Sequence, residues 1–292
     1  MKRAVHFTKM HGAGNDYIYV YLPDNPQLSD PARLSVLWSR PHFAVGSDGL
    51  VLVGKGPLPV ALRRSTAEAD FSMRIFNNDG SEALMCGNGV RCVAKFVRDH
   101  NLTQASSIRV DTLSGVKVID VYPDATGEVT SARVDMGRPL LSNPQQCATP
   151  TGSLRQGPLP GTPWRGTYVC MGNPHFVTFV PDVLALDLAT VGPSLEHHAI
   201  FPERCNIEFA QARPDGSVRM RVWERGSGIT MACGTGACAT AVATLMRNCL
   251  PTGTIDVEMD GGTLTVEWAH DGHVYMTGPA TRVFEGVIEY EE

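Results

Sequence analysis

The sequence lacks any pair of cysteines at the CxxC spacing of structural zinc sites, and its nine histidines do not fall at ligand spacing beside the cysteines it has, so no metal centre is expected. It has no run near the ~18 apolar residues of a membrane-spanning helix. It lacks a cationic surplus too: 25 Lys and Arg stand against 30 Asp and Glu, a formal charge of −5, which leaves no basic surface for nucleic acid. The opening stretch MKRAVHFTKMHG is positively charged but has no apolar core of a secretory signal. It reads as a first strand, and the expected location is cytoplasmic. Without a signal, eight cysteines in 292 residues do not make a disulfide scaffold, and most are expected to be small buried hydrophobes.

What is present is an ordinary globular composition, 43% hydrophobic and 19% charged, in a chain long enough for two domains. Strand-like alternation runs through 16–22, 49–54 and 107–123, then through 176–180, 217–224, 254–268 and 273–278. Ser114-Gly115 and Asp260-Gly261-Gly262 are hairpin signals. A helix is predicted over 86–100, where Val90, Val93, Ala94 and Val97 form an apolar stripe. A second, over 234–250, is apolar on nearly every side and should be buried all round. Segments 30–40 and 182–198 are further helix candidates. Residues 138–163 hold six prolines and no periodicity, which reads as an inter-domain connection with a surface loop, so the halves divide near 130–140.

One local device occurs in both halves. Cys86 stands before Gly87-Asn88-Gly89, and Cys233 before Gly234-Thr235-Gly236, 147 residues apart and half the chain to within one residue. Each segment leads from a strand-like stretch through Cys-Gly-x-Gly into a helix. The free N–H groups of a helix start carry positive partial charge and can hold a carboxylate, and a thiol there ionises more easily. For either segment alone, a small residue packing a tight turn explains the pattern as well. Two copies favour duplication of a unit, and two sites or one site built from both halves. Thiols on opposite faces of an amino-acid α-carbon could remove a proton from one side and return one to the other. The carbanion would need its carboxylate held by oriented N–H dipoles in a dry cavity. No cofactor is required.

Polar clusters flank the two turns. Asn15 and Asp16 follow a Gly-x-Gly turn, and Asn77 precedes Cys86 by nine residues. Asn173 and His175 bracket a proline, Asn206 opens an apolar run, and Glu224-Arg225 stands just before Cys233. Turn geometry and solvated ion pairs are the plain explanations. The functional reading gives Arg225 to a substrate carboxylate, Glu224 and the amides to its ammonium, and His175 with Glu224 to the tuning of the thiols.

These motifs resemble diaminopimelate epimerases: HGAGNDY, NNDGSEALMCGNGVRC, GNPHFV, FPERCNIEF, WERGSGITMACGTGACA and MTGPATRVFEG occur in order across residues 11–286. The resemblance implies an α/β fold of the α+β type. It would comprise two pseudo-symmetric domains, each a curled, mostly antiparallel sheet around a central helix. Residues 1–132 and 279–292 would form the domain with Cys86, and 133–278 the domain with Cys233. It implies an isomerase of lysine and peptidoglycan-precursor biosynthesis that converts L,L- to meso-diaminopimelate without cofactor or metal. Cys86 would be the proton donor and Cys233 the acceptor. The residues similar to the family's substrate contacts are Asn15, Asn77, Gly87, Asn88, Asn173, Asn206, Glu224, Arg225, Gly234 and Thr235, and His175 and Glu224 resemble its thiol-tuning pair. The partner is thus a small amino acid, not nucleic acid or membrane. The oligomeric state is not fixed, with a homodimer among the expectations.

The chain departs from the family at Ile229, where Glu is usual and altered support near Cys233 is expected. It departs also at Gly49, where some members place a substrate-contacting glutamine and others glycine, and in a longer 138–163 segment. Two other readings stand beside this one. A proline or hydroxyproline racemase would leave Glu224 and Arg225 no distal groups to recognise. A thiol redox protein would gain activity on oxidation, whereas an epimerase would lose it.

Overall fold

The computed structural model describes residues 2–26 and 28–291, and the chain divides into two compact units, Met1–Val134 with Gly278–Glu292, and Asp135–Thr277. In the first unit the elements are β1 (Lys2–Gly12), β2 (Asn15–Tyr21), α1 (Pro31–Trp38), β3 (Gly49–Lys55), β4 (Phe71–Asn77), β5 (Glu82–Ala83), α2 (Gly87–Asp99), β6 (Ser107–Thr112), β7 (Gly115–Pro123) and β8 (Val129–Asp135). Pairing is antiparallel for β1–β2, parallel for β2–β3, antiparallel for β3–β4, parallel for β4–β6, and antiparallel for β6–β7 and β7–β8.

The second unit holds β9 (Gly157–Pro158), β10 (Arg165–Cys170), β11 (Pro174–Phe179), α3 (Leu188–Glu196), β12 (Asn206–Ala212), β13 (Val218–Glu224), β14 (Gly228–Ile229), α4 (Gly234–Arg247), β15 (Gly253–Met259), β16 (Gly262–Trp268) and β17 (Val274–Pro279). The order of senses repeats: β10–β11 antiparallel, β11–β12 parallel, β12–β13 antiparallel, β13–β15 parallel, β15–β16 and β16–β17 antiparallel. A last strand, β18 (Thr281–Glu291), pairs along the full length of β1 and so belongs to the first unit.

Parallel neighbours need a crossover, and each one here has a helix. α1 and α3 serve β2–β3 and β11–β12, and α2 and α4 serve β4–β6 and β13–β15. The two cysteine-led helices therefore occupy one topological position in two copies of a unit. α4 packs on β10, β11, β12, β13, β15 and β16, so the sheet wraps it. Its residues 236–245 are all buried, as its all-round apolar sequence requires.

α2 differs from the stripe read in its sequence, because it too is enclosed from Gly87 to Val97, Arg91 and Lys95 included. These cations are tolerated because each is bonded. Arg91 donates to the Asn88 side chain at 2.9 Å and to the carbonyls of Gly87 and Pro279, and Lys95 donates to the Val129 carbonyl at 2.8 Å and to Glu128 at 3.0 Å.

The proline-rich 138–163 segment is not a connection between units; it lies wholly inside the second. Cys147 and Leu159 are fully buried in that unit's core with Tyr168, Phe176 and Phe209, and Leu140 bridges Cys170. Five of the remaining cysteines, 92, 147, 170, 205 and 238, are buried free thiols, and Cys249 is exposed. Among the described residues, no helix is long and apolar enough to cross a membrane.

Candidate active site

Cys86 is the residue that caps α2, in an extended backbone conformation that turns its side chain back over the first helical turn. The Gly89 N–H donates to Sγ at 3.3 Å, which favours a thiolate. The thiol in turn donates to Asn15 Oδ1 at 3.2 Å, which favours the protonated form. Asn15 is itself held: its Nδ2 donates to Asp48 Oδ2 at 2.7 Å, and the Asp16 N–H donates to the same oxygen at 3.0 Å. Burial raises the Asp48 carboxyl above the usual carboxylate range, with the Asp16 charge acting in the same direction against its hydrogen bonds and Lys9.

Asn88 is buried, and its side-chain oxygen accepts from Arg91. Asn77 closes a turn, donating from its amide to Ser81 Oγ at 3.0 Å and from its backbone to the Ser81 carbonyl. Gly87 supplies a first-turn N–H and nothing bulkier.

Cys233 caps α4 in the same conformation but in another environment. It is buried, with Sγ 3.6 Å from Thr235 Oγ1. Burial pushes its thiol well above the ordinary value, and the carboxylates of Glu224 and Glu208 push the same way, against the nearby Thr235 hydroxyl and Gly236 N–H, which favour the thiolate. The expectation that a helix start lowers the thiol pKa thus fails here. Half a charge of helix dipole is outweighed by desolvation and two nearby acids. Burial also raises Glu224, against its bonds with Thr230, whose hydroxyl donates to Oε1, and with Cys233.

Behind Cys233 runs a chain of polar groups. Asn173 Nδ2 donates to Thr235 Oγ1 at 3.4 Å, His175 Nε2 lies 2.9 Å from Asn173 Oδ1, and His175 Nδ1 lies 2.6 Å from Glu208 Oε1. A methyl group on Gly236 would sit 2.8 Å from Glu208 Oε1 and 3.2 Å from Cys233 Sγ, so only glycine lets the helix start approach both. Asn206 is engaged at both ends, donating to the Pro174 carbonyl at 2.8 Å and accepting from the Arg225 N–H at 2.9 Å. It fixes the backbone from which Arg225 projects, and the Arg225 guanidinium donates to the Glu203 carbonyl at 3.1 Å. Gly234 provides the first N–H of the helix.

Within the first unit, then, Asn15, Gly87 and Asn88 gather at Cys86. Within the second, Asn173, His175, Glu224 and Thr235 gather around Cys233, with Asn206 and Arg225 beside them. Asp48, Glu208 and Thr230 were not foreseen. Glu208 had a signal: an acid between Ile207 and Phe209, in a run buried from Asn206 to Ala210, must have a partner. Each cluster offers a thiol able to exchange a proton and helix N–H groups able to receive a carboxylate.

A family model described as diaminopimelate epimerase matches residues 7–141 and 167–283. The chain belongs to the diaminopimelate epimerase family. It is 53% identical to the diaminopimelate epimerase of Phocaeicola vulgatus, over 99% of this chain and 100% of that protein. It is 50% identical to that of Bacteroides thetaiotaomicron, with the same coverage. The fold is also that of more distant solved structures. A PhzF-family phenazine biosynthesis protein from Bacillus anthracis has a TM-score of 0.67 at 15% identity, covering 98% of this chain and 99% of that one. A hydroxyproline epimerase from Agrobacterium vitis has a TM-score of 0.67 at 14% identity, covering 99% and 94%.

Set against the diaminopimelate epimerase family, the departures take physical form. The family model leaves 142–166 unmatched, a stretch that takes in most of the proline-rich segment. At Gly49 a Cβ would lie 2.1 Å from the Phe76 carbonyl oxygen, so this chain has no room for a side chain there. Ile229 is 46% exposed and paired through the backbone with Trp223, which makes it a surface position.

Proposed function

We propose that the chain epimerises L,L-diaminopimelate to the meso form with two thiols and no cofactor, Cys233 taking the α-proton and Cys86 supplying one on the opposite face. The observation that carries this reading is the repetition of one device. A cysteine stands at the N-cap of the enclosed helix at the same topological position of both units; in the first an asparagine accepts from the cysteine itself, and in the second an asparagine donates to Thr235 beside it. Family membership and the names of the relatives support the substrate.

In this mechanism the first-turn N–H groups of α2 and α4 hold the reacting carboxylate and take up charge as the carbanion forms. A thiolate formed at buried Cys233 is a stronger base than an ordinary one, which suits an α-proton far less acidic than any side chain. The S–H of Cys86, bonded to the amide of Asn15, is the form that can donate. After one turnover Cys233 holds the proton taken and Cys86 is a thiolate, and exchange with solvent resets both. Arg225 and Glu224 face the distal carboxylate and ammonium, which a proline would not possess. His175 acts through Glu208 and Asn173 to set the charge around Cys233. Asn77 contributes at the substrate's edge. A homodimer located in the cytoplasm belongs to the same proposal.

The test is conversion of L,L-diaminopimelate by reduced enzyme, followed by chiral chromatography. Conversion that disappears in both Cys86→Ala and Cys233→Ala, and in the oxidised protein, supports the reading. A folded, reduced chain that converts proline but leaves diaminopimelate untouched overturns it.

A further inference from the structure

We infer that Asp48 is a positioning residue that fixes the Asn15 amide so that Cys86 is held as a thiol, the proton-donating form; the inference rests on the donor role proposed for Cys86. An asparagine amide can present either its oxygen or its nitrogen to a neighbour, and the two choices act oppositely on a thiol. Oxygen toward sulfur accepts from S–H and favours the neutral form. Nitrogen toward sulfur donates and favours the thiolate. At Asn15 the choice is made by Asp48. Its Oδ2, 2.7 Å from Asn15 Nδ2, accepts only, so the reversed amide would set two acceptor oxygens against each other. The same Oδ2 accepts from the Asp16 N–H at 3.0 Å, and the Asp48 N–H returns a bond of 2.8 Å to the Asp16 carbonyl. Three hydrogen bonds thus clamp the start of β2 to the residue that precedes β3. Asn15 Oδ1 is left facing Cys86 Sγ at 3.2 Å.

Other charged and titratable groups lie close by. Lys9 pairs with Asp16 beside Asp48 and lowers the Asp48 carboxyl. Next to Cys86, Tyr19 donates to the Gly89 carbonyl and is coupled to Cys86 and to buried Cys92. None of these dictates which end of the Asn15 amide meets the sulfur.

The consequence is specific. Asp48→Ala removes the acceptor, which allows Asn15 to reverse and donate to Cys86, whereas Asp48→Asn would keep its amide oxygen toward the Asp16 N–H and still accept from Asn15. The Cys86 ionisation midpoint should then fall by about one pH unit, the scale of a single hydrogen bond exchanged between the two protonation states. Because a less basic thiolate is also less nucleophilic, its alkylation at pH 7 should rise by only about threefold to fourfold. Loss of the carboxylate charge alone would act in the same direction, so the decisive comparison is made in an Asn15→Leu background.

The experiment measures iodoacetamide alkylation of Cys86 against pH, resolved by peptide mass spectrometry, in wild type, Asp48→Ala, Asn15→Leu and the double variant. Asp48→Leu serves as a second clamp-breaking variant should Asp48→Ala fail to fold. The expected result is a lower midpoint in each single variant and a smaller shift when Asp48 is changed in the Asn15→Leu chain, where only the charge effect remains. An unchanged midpoint in the Asp48 variants, or an equal shift in both backgrounds, overturns the inference. Because this measurement needs no turnover, either result leaves the proposed epimerisation to be judged on its own assay.

Discussion

His175 Nδ1 lies 2.6 Å from Glu208 Oε1, and both side chains are completely enclosed. The other Glu208 oxygen has no hydrogen-bond partner among the described residues. A buried, hydrogen-bonded acid–base pair is strongly destabilised when one member is removed, because the survivor is left unpaired in a dry interior. Glu208→Ala should therefore lower stability by about 3 kcal/mol or more, and Glu208→Gln, which keeps an acceptor, by less. The Glu208 charge also raises the Cys233 thiol, so either variant should move the limb of the pH–rate profile that reports Cys233 to lower pH. Urea unfolding and a pH–rate profile read the two effects, and a stability unchanged in Glu208→Ala would refute the pairing argument.

The buried thiols predict a loss of stability in alkali. Burial, opposed by Arg91, pushes Cys92 from 9.0 up to about 11, and Cys233 is raised in the same sense. The folded chain thus holds these protons more tightly than the unfolded chain does. The corresponding stability is whole below the ordinary thiol value and is lost as the pH climbs toward about 11. For Cys92 that loss is about 2–3 kcal/mol, from a shift of about two units. Urea midpoints should fall steeply between these limits, and Cys92→Ala should flatten the slope; an identical slope would count against it.

The two helix-start glycines should respond differently to alanine. At Gly236 the new methyl meets Glu208 at 2.8 Å and Cys233 Sγ at 3.2 Å, whereas at Gly89 its nearest neighbour is Cys86 Cβ at 3.4 Å, an ordinary contact. Gly236→Ala should cost about 1–3 kcal/mol and nearly all activity. Gly89→Ala gains helix propensity of about 1 kcal/mol against any repacking, and should unfold close to wild type. Thermal melts and initial rates of both variants give the ranking.

The two single-residue differences, Ile229 and Gly49, should respond differently to the residues that other family members carry. Ile229→Glu changes a surface position and should alter stability by less than about 0.5 kcal/mol. Gly49→Gln forces a side chain onto the Phe76 carbonyl, 2.1 Å from its Cβ, and should destabilise strongly without improving substrate affinity. Melting temperatures and KM for diaminopimelate distinguish the cases.

Much of this architecture was legible because its helices and hairpins are local. The Leu113-Ser114 turn before Gly115 and the Asp260-Gly261 turn join strands where the sequence signalled hairpins, in the registers Thr112 with Gly115 and Met259 with Gly262. β4, β10 and β12 were not read, because they are buried on both faces and lose the period-two pattern; Gly166 to Cys170 and Asn206 to Ala210 are enclosed without interruption. Segment 182–198 yielded only Leu188–Glu196 as helix, since Asp187 caps it from an extended conformation. The cysteines announced themselves by repetition. Asp48 and Glu208 did not, because the groups they hold are 33 residues away in sequence and meet them only through parallel strand neighbours.

The most direct measurement of the two-thiol account is a single turnover of L,L-diaminopimelate in deuterated buffer, with both recovered substrate and product analysed for deuterium at the inverted carbon. If separate thiols serve the two faces, meso product carries one solvent deuterium while recovered L,L substrate is unlabelled. Product that retains the substrate's own proton would mean a single base working on both faces, and would contradict the roles given to Cys86 and Cys233.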